Sequence, residues 1–270
     1  MYRQAAAPTN TAAEKMTQKN EKVAGIIGGM GPEATVDLMQ RIIRLTPAMD
    51  DKDHIRCIVD NNPKVPSRIK AIIEGNGEDP GPVMADMGRR LEAWGADFLV
   101  IPCNTAHFYY DAVQEAVKIP VINMIDLVVN QVKADFARET HIGMLASPAV
   151  AITKLYTRRF DTLGMTEVWP DKEHQDRLFN IIRQVKAGGI TLDLHRQYAQ
   201  VCDHLKDQGV GVAIVACTEL SALGGNDLPL DTIDASQVLA EAIVRMVKHP
   251  SEYPLTGHPG SSRISGNNNR

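Results

Sequence analysis

The sequence predicts an α/β protein of two similar lobes facing each other across a cleft. Three observations carry this. Short apolar runs alternate with amphipathic helical stretches through roughly residues 22–248; the runs are rich in Val, Ile and Leu on both faces; and the second half repeats landmarks of the first. Strands apolar on both faces and separated by helices make parallel sheets covered by helices.

The elements follow in order. KVAGII (22–27) is a strand, then a glycine turn, then the helix PEATVDLMQRIIRLT, with Pro32 at its first position and Glu33 in its first turn. HIRCIVD (54–60) is the next strand, PVMADMGRRLEAWG (82–95) a helix and ADFLVIPC (96–103) a strand. TAHFYYDAVQEAV (105–117) reads as a helix and PVINMID (120–126) as a strand. HIGMLASPAVAITKLYTRRF (141–160) repeats the opening grammar of strand, small-residue turn, proline and helix. GADFLVIPCNT (95–105) then aligns with GVGVAIVACTE (209–219), and PVINMID with PLDTID (229–234). Gly25 lies 78 residues before Cys103, and Gly143 lies 74 before Cys217.

From these landmarks the first lobe is expected to hold 22–120 plus 229–248 and the second 121–228, with disordered segments at 1–21 and 249–270. Residues 1–21 lack the apolar stretch of a signal peptide.

Composition narrows the function classes. The chain has 270 residues, 29 Lys plus Arg against 33 Asp plus Glu, and a formal charge of −4 without a basic block, which argues against nucleic acid or anionic lipid as partner. No apolar run is long enough for a membrane span. Four scattered cysteines, Cys57, Cys103, Cys202 and Cys217, form no CxxC pair, and the eight histidines show no metal-ligand spacing. A cytoplasmic protein without metal or disulfides is expected.

Ligands of open α/β sheets bind beyond the carboxyl ends of the strands. Cys103 and Cys217 are both expected there, each closing its strand, so facing lobes would set two thiols across one cavity. A base on each face of a tetrahedral carbon allows a proton to leave one side and return on the other, which inverts the centre. Asn104 and Thr105 follow the first thiol and Thr218 and Glu219 the second, offering hydroxyl, amide and backbone N–H groups to a thiolate or a carboxylate. Two buried cysteines filling the core is the plain alternative, and the symmetry of the pair argues against it. Cys57, within a strand, and Cys202, within a helix, are read as core.

GIIGGMGPEAT (25–35), NNPKVPSR (61–68), GADFLVIPCNTAH (95–107) and ACTEL (216–220) resemble the motifs of aspartate racemases in the cofactor-independent aspartate/glutamate racemase superfamily. The resemblance runs through residues 22–247. It implies two lobes related by a pseudo-twofold axis with the active site between them, a homodimer, and no pyridoxal phosphate, metal or nucleotide. It makes Cys103 and Cys217 the catalytic pair, Cys217 deprotonating the L-enantiomer and Cys103 the D-enantiomer. Thr218-Glu219 stands where glutamate racemases usually have Thr-His, and GGMGP replaces their Asp-Ser loop, so the aspartate-type branch is the better match.

A dicarboxylate substrate needs cations. The resemblance makes Arg68 a carboxylate-binding arginine, although Ser67 stands where Asp is common, and Lys186, in QVKAGG, a substrate-binding lysine. The Gly28-Gly29-Met30-Gly31 loop offers N–H groups to a carboxylate, so Met30 and Gly31 are candidate contacts; Asn61 would orient a carboxylate or cap a turn. His107 is expected to pack or hydrogen-bond rather than move protons.

Two rival readings compete with this one. Gly29-x-Gly31-x-x-Ala34 imitates a dinucleotide fingerprint, but Asp60 lies too far on, Pro32 removes an N–H, and the cysteines go unexplained. A non-catalytic acidic-amino-acid-binding protein would keep Arg68 and Lys186 without needing two thiols. Glutamate or another acidic amino acid remains open as substrate.

Overall fold

Two four-stranded parallel sheets organise the chain, in a computed structural model that describes residues 21–223, 228–251 and 253. The expected disorder of 1–21 falls, but for Glu21, outside the described residues, as does most of the 249–270 tail. The first sheet has β1 (Ala24–Gly28), β2 (Cys57–Asn61), β3 (Phe98–Val100) and β4 (Val121–Ile122) in the order β2-β1-β3-β4. The second has β5 (His141–Leu145), β6 (Thr166–Val168), β7 (Val212–Val215) and β8 (Asp231–Asp234) in the order β6-β5-β7-β8. These orders are the same topology, so the repeat read from landmarks is a repeat of sheet architecture.

The helices are α1 (Pro32–Leu45), α2 (Gly81–Ala93), α3 (Tyr110–Gln114), α4 (Met124–Asp135), α5 (Pro148–Thr153), α6 (Thr157–Asp161), α7 (Lys172–Lys186), α8 (Leu192–Asp207), α9 (Thr218–Leu223) and α10 (Ala235–Lys248). A side chain alternates faces along a strand. Ala24 and Ile26 of β1 and Val212 and Ile214 of β7 therefore point into a central core shared with α1, α4 and α10. Ile27 faces an outer core with α2, and Ala213 and Val215 face another with α7 and α8. The helices between the sheets thus join the two lobes.

Several expected boundaries move. The cysteines do not end their strands: β3 stops at Val100 and β7 at Val215, leaving Cys103 and Cys217 in the loops just beyond. Strand 120–126 shrinks to β4, because the Asn123 side chain accepts from the N–H groups of Ile125 and Asp126 and starts α4. Helix 105–117 splits into a 3₁₀ turn (Thr105–Tyr109) and α3. Helix 148–160 breaks at Lys154, whose φ of 52° is left-handed. The expected lobe limits also shift: β4 pairs with β3 in the first sheet, and β8 pairs with β7 in the second, while α10 packs on α1 and α4. The crossing that 229–248 was expected to make is made by its helix and not by its strand.

Candidate active site

Each lobe sends its cysteine into one cavity of about 80 Å³. It is lined by Met30, Arg68, Cys103, Asn104 and Thr105 from the first lobe and by Ser147, Phe179, Lys186, Cys217, Thr218 and Glu219 from the second, among others. The volume is far below the roughly 300–1,000 Å³ of drug-sized ligand pockets and suits a small metabolite.

The glycine loop brings Met30 to the wall. Gly29 has φ 91°, and a Cβ there would come within 2.3 Å of the Asn62 backbone, so only glycine fits where β1 turns into α1. The Gly29 N–H donates to Thr35 Oγ1 at 2.9 Å, so that donor is spent on the turn. Gly31, next to Met30, is not among the residues that line the cavity; a Cβ on it would stand 3.8 Å from Glu219 Oε1. Asn61 does not reach the site: it ends β2, exposed, and the turn beyond is capped by Asn62, whose Oδ1 accepts from the Lys64 N–H.

Arg68 is partly buried, with Nη1 donating to the carbonyls of Pro66 at 2.9 Å and Val65 at 3.4 Å. Among the described residues no carboxylate pairs with it, so its charge faces the cavity unspent. Lys186 is half exposed at the last turn of α7, its Nζ 3.2 Å from Glu219 Oε1.

The two thiols sit in different surroundings. His107 is buried; its Nε2 accepts from the Met124 N–H at 3.0 Å, which leaves the proton on Nδ1 to donate to the Cys103 carbonyl at 2.9 Å. Burial pushes its pKa down to about 4, so it is neutral and holds the Cys103 loop, as expected for a structural histidine. Asn104 Oδ1 accepts from the Tyr156 hydroxyl at 2.6 Å, a bond from the second lobe to the first, while its buried Nδ2 has no partner among the described residues. Cys217 Sγ donates to Glu219 Oε2 at 3.1 Å and Thr218 Oγ1 to the same oxygen at 3.4 Å. Burial and then the Glu219 charge push the Cys217 thiol well up. Burial opposes ionisation of Glu219, but the Lys186 ammonium and the thiol hydrogen bond outweigh it and hold the carboxyl below its usual range. Cys57 and Cys202 lie outside the cavity, and burial raises their thiols to about 11 and about 12.

Sequence reasoning missed Ser147, Phe179, Ile182 and Tyr156. Ser147-Pro148 is the repeat counterpart of Gly31-Pro32, and Phe179, Ile182 and Lys186 share one helical face, so both signals were present. One group of metal-ligand type exists among the described residues, Asp171, His174 and His204, away from the cavity. Two of its ligand atoms are already engaged: Asp171 Oδ1 meets His174 Nδ1 at 2.8 Å, and His204 Nε2 accepts from the Asp171 N–H at 3.2 Å. No described helix is long and apolar enough to cross a membrane.

This two-lobed fold with a shared cavity is that of amino-acid racemases. Residues 27–243 match the Asp/Glu/hydantoin racemase family model, and the chain belongs to that family. It is 25% identical over 231 residues to a broad-specificity amino-acid racemase of Bacillus subtilis, spanning 82% of this chain and 96% of the relative. Its structure is similar to Picrophilus torridus aspartate racemase, with TM-score 0.71, 30% identity, and 83% and 93% of the two chains covered. A glutamate racemase of Francisella tularensis, at 18% identity and TM-score 0.59 over 89% and 85% of the chains, shares the fold.

Proposed function

We propose that the protein interconverts the L and D forms of an acidic amino acid, aspartate first, by proton transfer between two cysteines and the α-carbon. One observation carries the proposal: equivalent loops of a repeated fold bring one thiol from each lobe into a single small cavity. The same cavity holds an unpaired arginine and a buried, unpartnered amide donor.

The chemistry follows from these parts. Removing the α-proton puts negative charge on the α-carbon and its carboxylate, and preorganised donors that meet this charge lower the barrier. Arg68 grips a carboxylate through the face of its guanidinium left free, and Asn104 Nδ2 donates to the same or the second carboxylate. Thr105 and Thr218, each close in sequence to one thiol, line the same cavity, and the wall at Met30 limits rotation of the substrate. Cys217 as thiolate takes the proton of the L-enantiomer while the Cys103 thiol supplies one to the opposite face; the D-enantiomer runs the reverse. The residues present call for no pyridoxal phosphate, metal or nucleotide, and activity is expected to survive EDTA and to need no added cofactor.

A second reading, a broader amino-acid range, is favoured by the similarity to the broad-specificity racemase. Aspartate as the preferred substrate rests on Arg68 and Lys186, two cations in one cavity.

The deciding experiment follows α-carbon exchange in D₂O by NMR, from each enantiomer, for wild type, Cys103→Ala and Cys217→Ala. The wild type is expected to label the inverted product and both variants to stop racemising. A variant that still racemised at the wild-type rate would overturn the two-base mechanism. Neutral amino acids turning over as fast as aspartate would replace the dicarboxylate reading with the broader one.

A further inference from the structure

Glu219 is mostly buried inside the cavity, and the two-thiol scheme leaves it without a task. Its two oxygens are engaged on opposite sides. Oε2 accepts from the Cys217 thiol at 3.1 Å and Oε1 pairs with Lys186 Nζ at 3.2 Å. Among the described residues no carboxylate hydrogen-bonds the Cys103 thiol, and its loop is held through its carbonyl by a neutral histidine. A buried thiol is a poor base unless something nearby takes its proton. Among the described residues, only the second thiol has a carboxylate placed to do so.

We infer that Glu219 is the proton acceptor that makes Cys217 a thiolate, restrained in the empty enzyme by its ion pair with Lys186 and released when a substrate carboxylate draws Lys186 away. The inference rests on Cys217 being one of the two bases. In the transfer the S–H bond of Cys217 breaks and an O–H bond forms on Oε2, so thiol plus carboxylate become thiolate plus carboxylic acid at constant total charge. The thiolate then takes the α-proton, and the Cys103 thiol gives its proton to the other face and is left as thiolate. After the product leaves, Glu219 releases its proton to solvent as Cys103 takes one up. No outside reactant is consumed.

The restraint has a plain cause. An ammonium beside Oε1 favours the charged carboxylate and opposes its protonation. Lys186 sits half exposed on a flexible stem at the end of α7, free to follow an incoming carboxylate. Its departure strips Glu219 of its main stabilising charge and leaves the carboxyl a stronger base toward the thiol 3.1 Å away. The other charged or titratable groups near Glu219 are Arg68 and Cys103 across the cavity. Behind α9 lie Asp234, bonded to Ser221, and Arg41, paired with Asp234.

Glu219 acts through Cys217 and not on the substrate, so its test needs readouts that a purely structural residue would not move. In the wild type the thiol proton stays within the pair, and kcat from the L-enantiomer is expected to be flat between about pH 6 and 9. In Glu219→Gln the proton must leave to solvent. Its kcat at pH 7 should fall about 100-fold and climb about tenfold per pH unit, while KM changes less than about threefold. Glu219→Asp should restore the flat profile at reduced rate.

The restraint is read without turnover, by iodoacetamide labelling of Cys217 in a Cys103→Ala background, mapped by mass spectrometry. Lys186→Met is expected to speed labelling about tenfold at pH 7, and adding Glu219→Gln to cancel the gain. A Glu219→Gln profile parallel to the wild type, or labelling unchanged by Lys186→Met, overturns the inference. A wild type with no α-exchange at all defeats the racemase reading instead, and the labelling arm still tests the Glu219–Lys186 pair.

Discussion

The two lobes share a sheet order, a glycine on the first strand and a cysteine just past the third, yet the cysteines meet different neighbours. In the first lobe the chain after Cys103 turns into a 3₁₀ segment, and His107, one turn on, grips the Cys103 carbonyl. In the second lobe an α-helix begins at once, Ser221 reaches the Cys217 carbonyl at 3.4 Å, and Glu219 meets the thiol. Duplicated topology places two thiols symmetrically because strand order and strand length place them. What each thiol can do is set by the next four residues, which the repeat leaves free to differ. The two-base scheme proposed above is symmetric, whereas the surroundings of the two thiols are not.

The largest effect that can break this comparison is loss of either thiol. Cys103→Ala and Cys217→Ala should each lower racemisation about 1,000-fold or more, the scale of a general acid–base group; polarimetry from both enantiomers checks it. A surviving activity in one variant alone would make the site one-sided despite its symmetry.

His107→Leu probes the first lobe only. It leaves the buried Cys103 carbonyl and Met124 N–H without partners and should cost about 3 kcal/mol at pH 7 in urea unfolding. The sign of its pH dependence follows from the native pKa of about 4 against an ordinary value near 6.5. The unfolded chain binds the extra proton, so the wild type keeps this stability above about pH 6.5 and loses up to about 3 kcal/mol as pH falls through 4. The gap between wild type and variant should narrow over that window; a constant gap would mean that His107 is charged in the native state.

The paired strand glycines compare the lobes by packing. A Cβ on Gly25 would meet Leu99 Cδ2 at 2.6 Å and Ala96 Cβ at 2.8 Å, and one on Gly143 would meet Ala213 Cβ and Val210 Cγ1 at 2.9 Å. Both substitutions to Ala should destabilise by about 1–3 kcal/mol, Gly25→Ala more; thermal melts that reverse the order would show that the second lobe yields less.

Tyr156→Phe is the gentlest test. It removes the hydrogen bond to Asn104 and should cost about 1 kcal/mol and raise KM a few-fold with kcat nearly unchanged, since Asn104 loses its anchor and neither thiol is touched.

The repeat was legible because strand runs such as ADFLVIP and GVAIVA carry both-face hydrophobicity, and the glycine-to-cysteine spacing locates the loops. Strand ends were not. Pro102 and Ala216 look like strand continuation, but β3 and β7 stop where their neighbours stop pairing, a tertiary limit that no local pattern carries. The placement of β8 hid for the same reason: a crossing helix and a crossing strand read alike until hydrogen bonds are assigned. In the site, the residues next to the cysteines and the cations were readable from motifs. Tyr156 and the Glu219–Lys186 pair were not, because each bond joins side chains 52 or 33 positions apart. Asn61 closes β2 exposed and the turn cap falls to Asn62, one residue past the strand; adjacent asparagines share the same local turn signal, so the sequence does not say which of them caps.

The Tyr156–Asn104 bond also ties the two lobes together beside the cavity. Burial keeps the phenol neutral and a donor, and its acceptor stands directly after Cys103. A hinge motion that parted the lobes at this point would have to break the bond, and the same bond re-forms on closing, so one contact both seats the Cys103 loop and resists opening of the cleft in either direction.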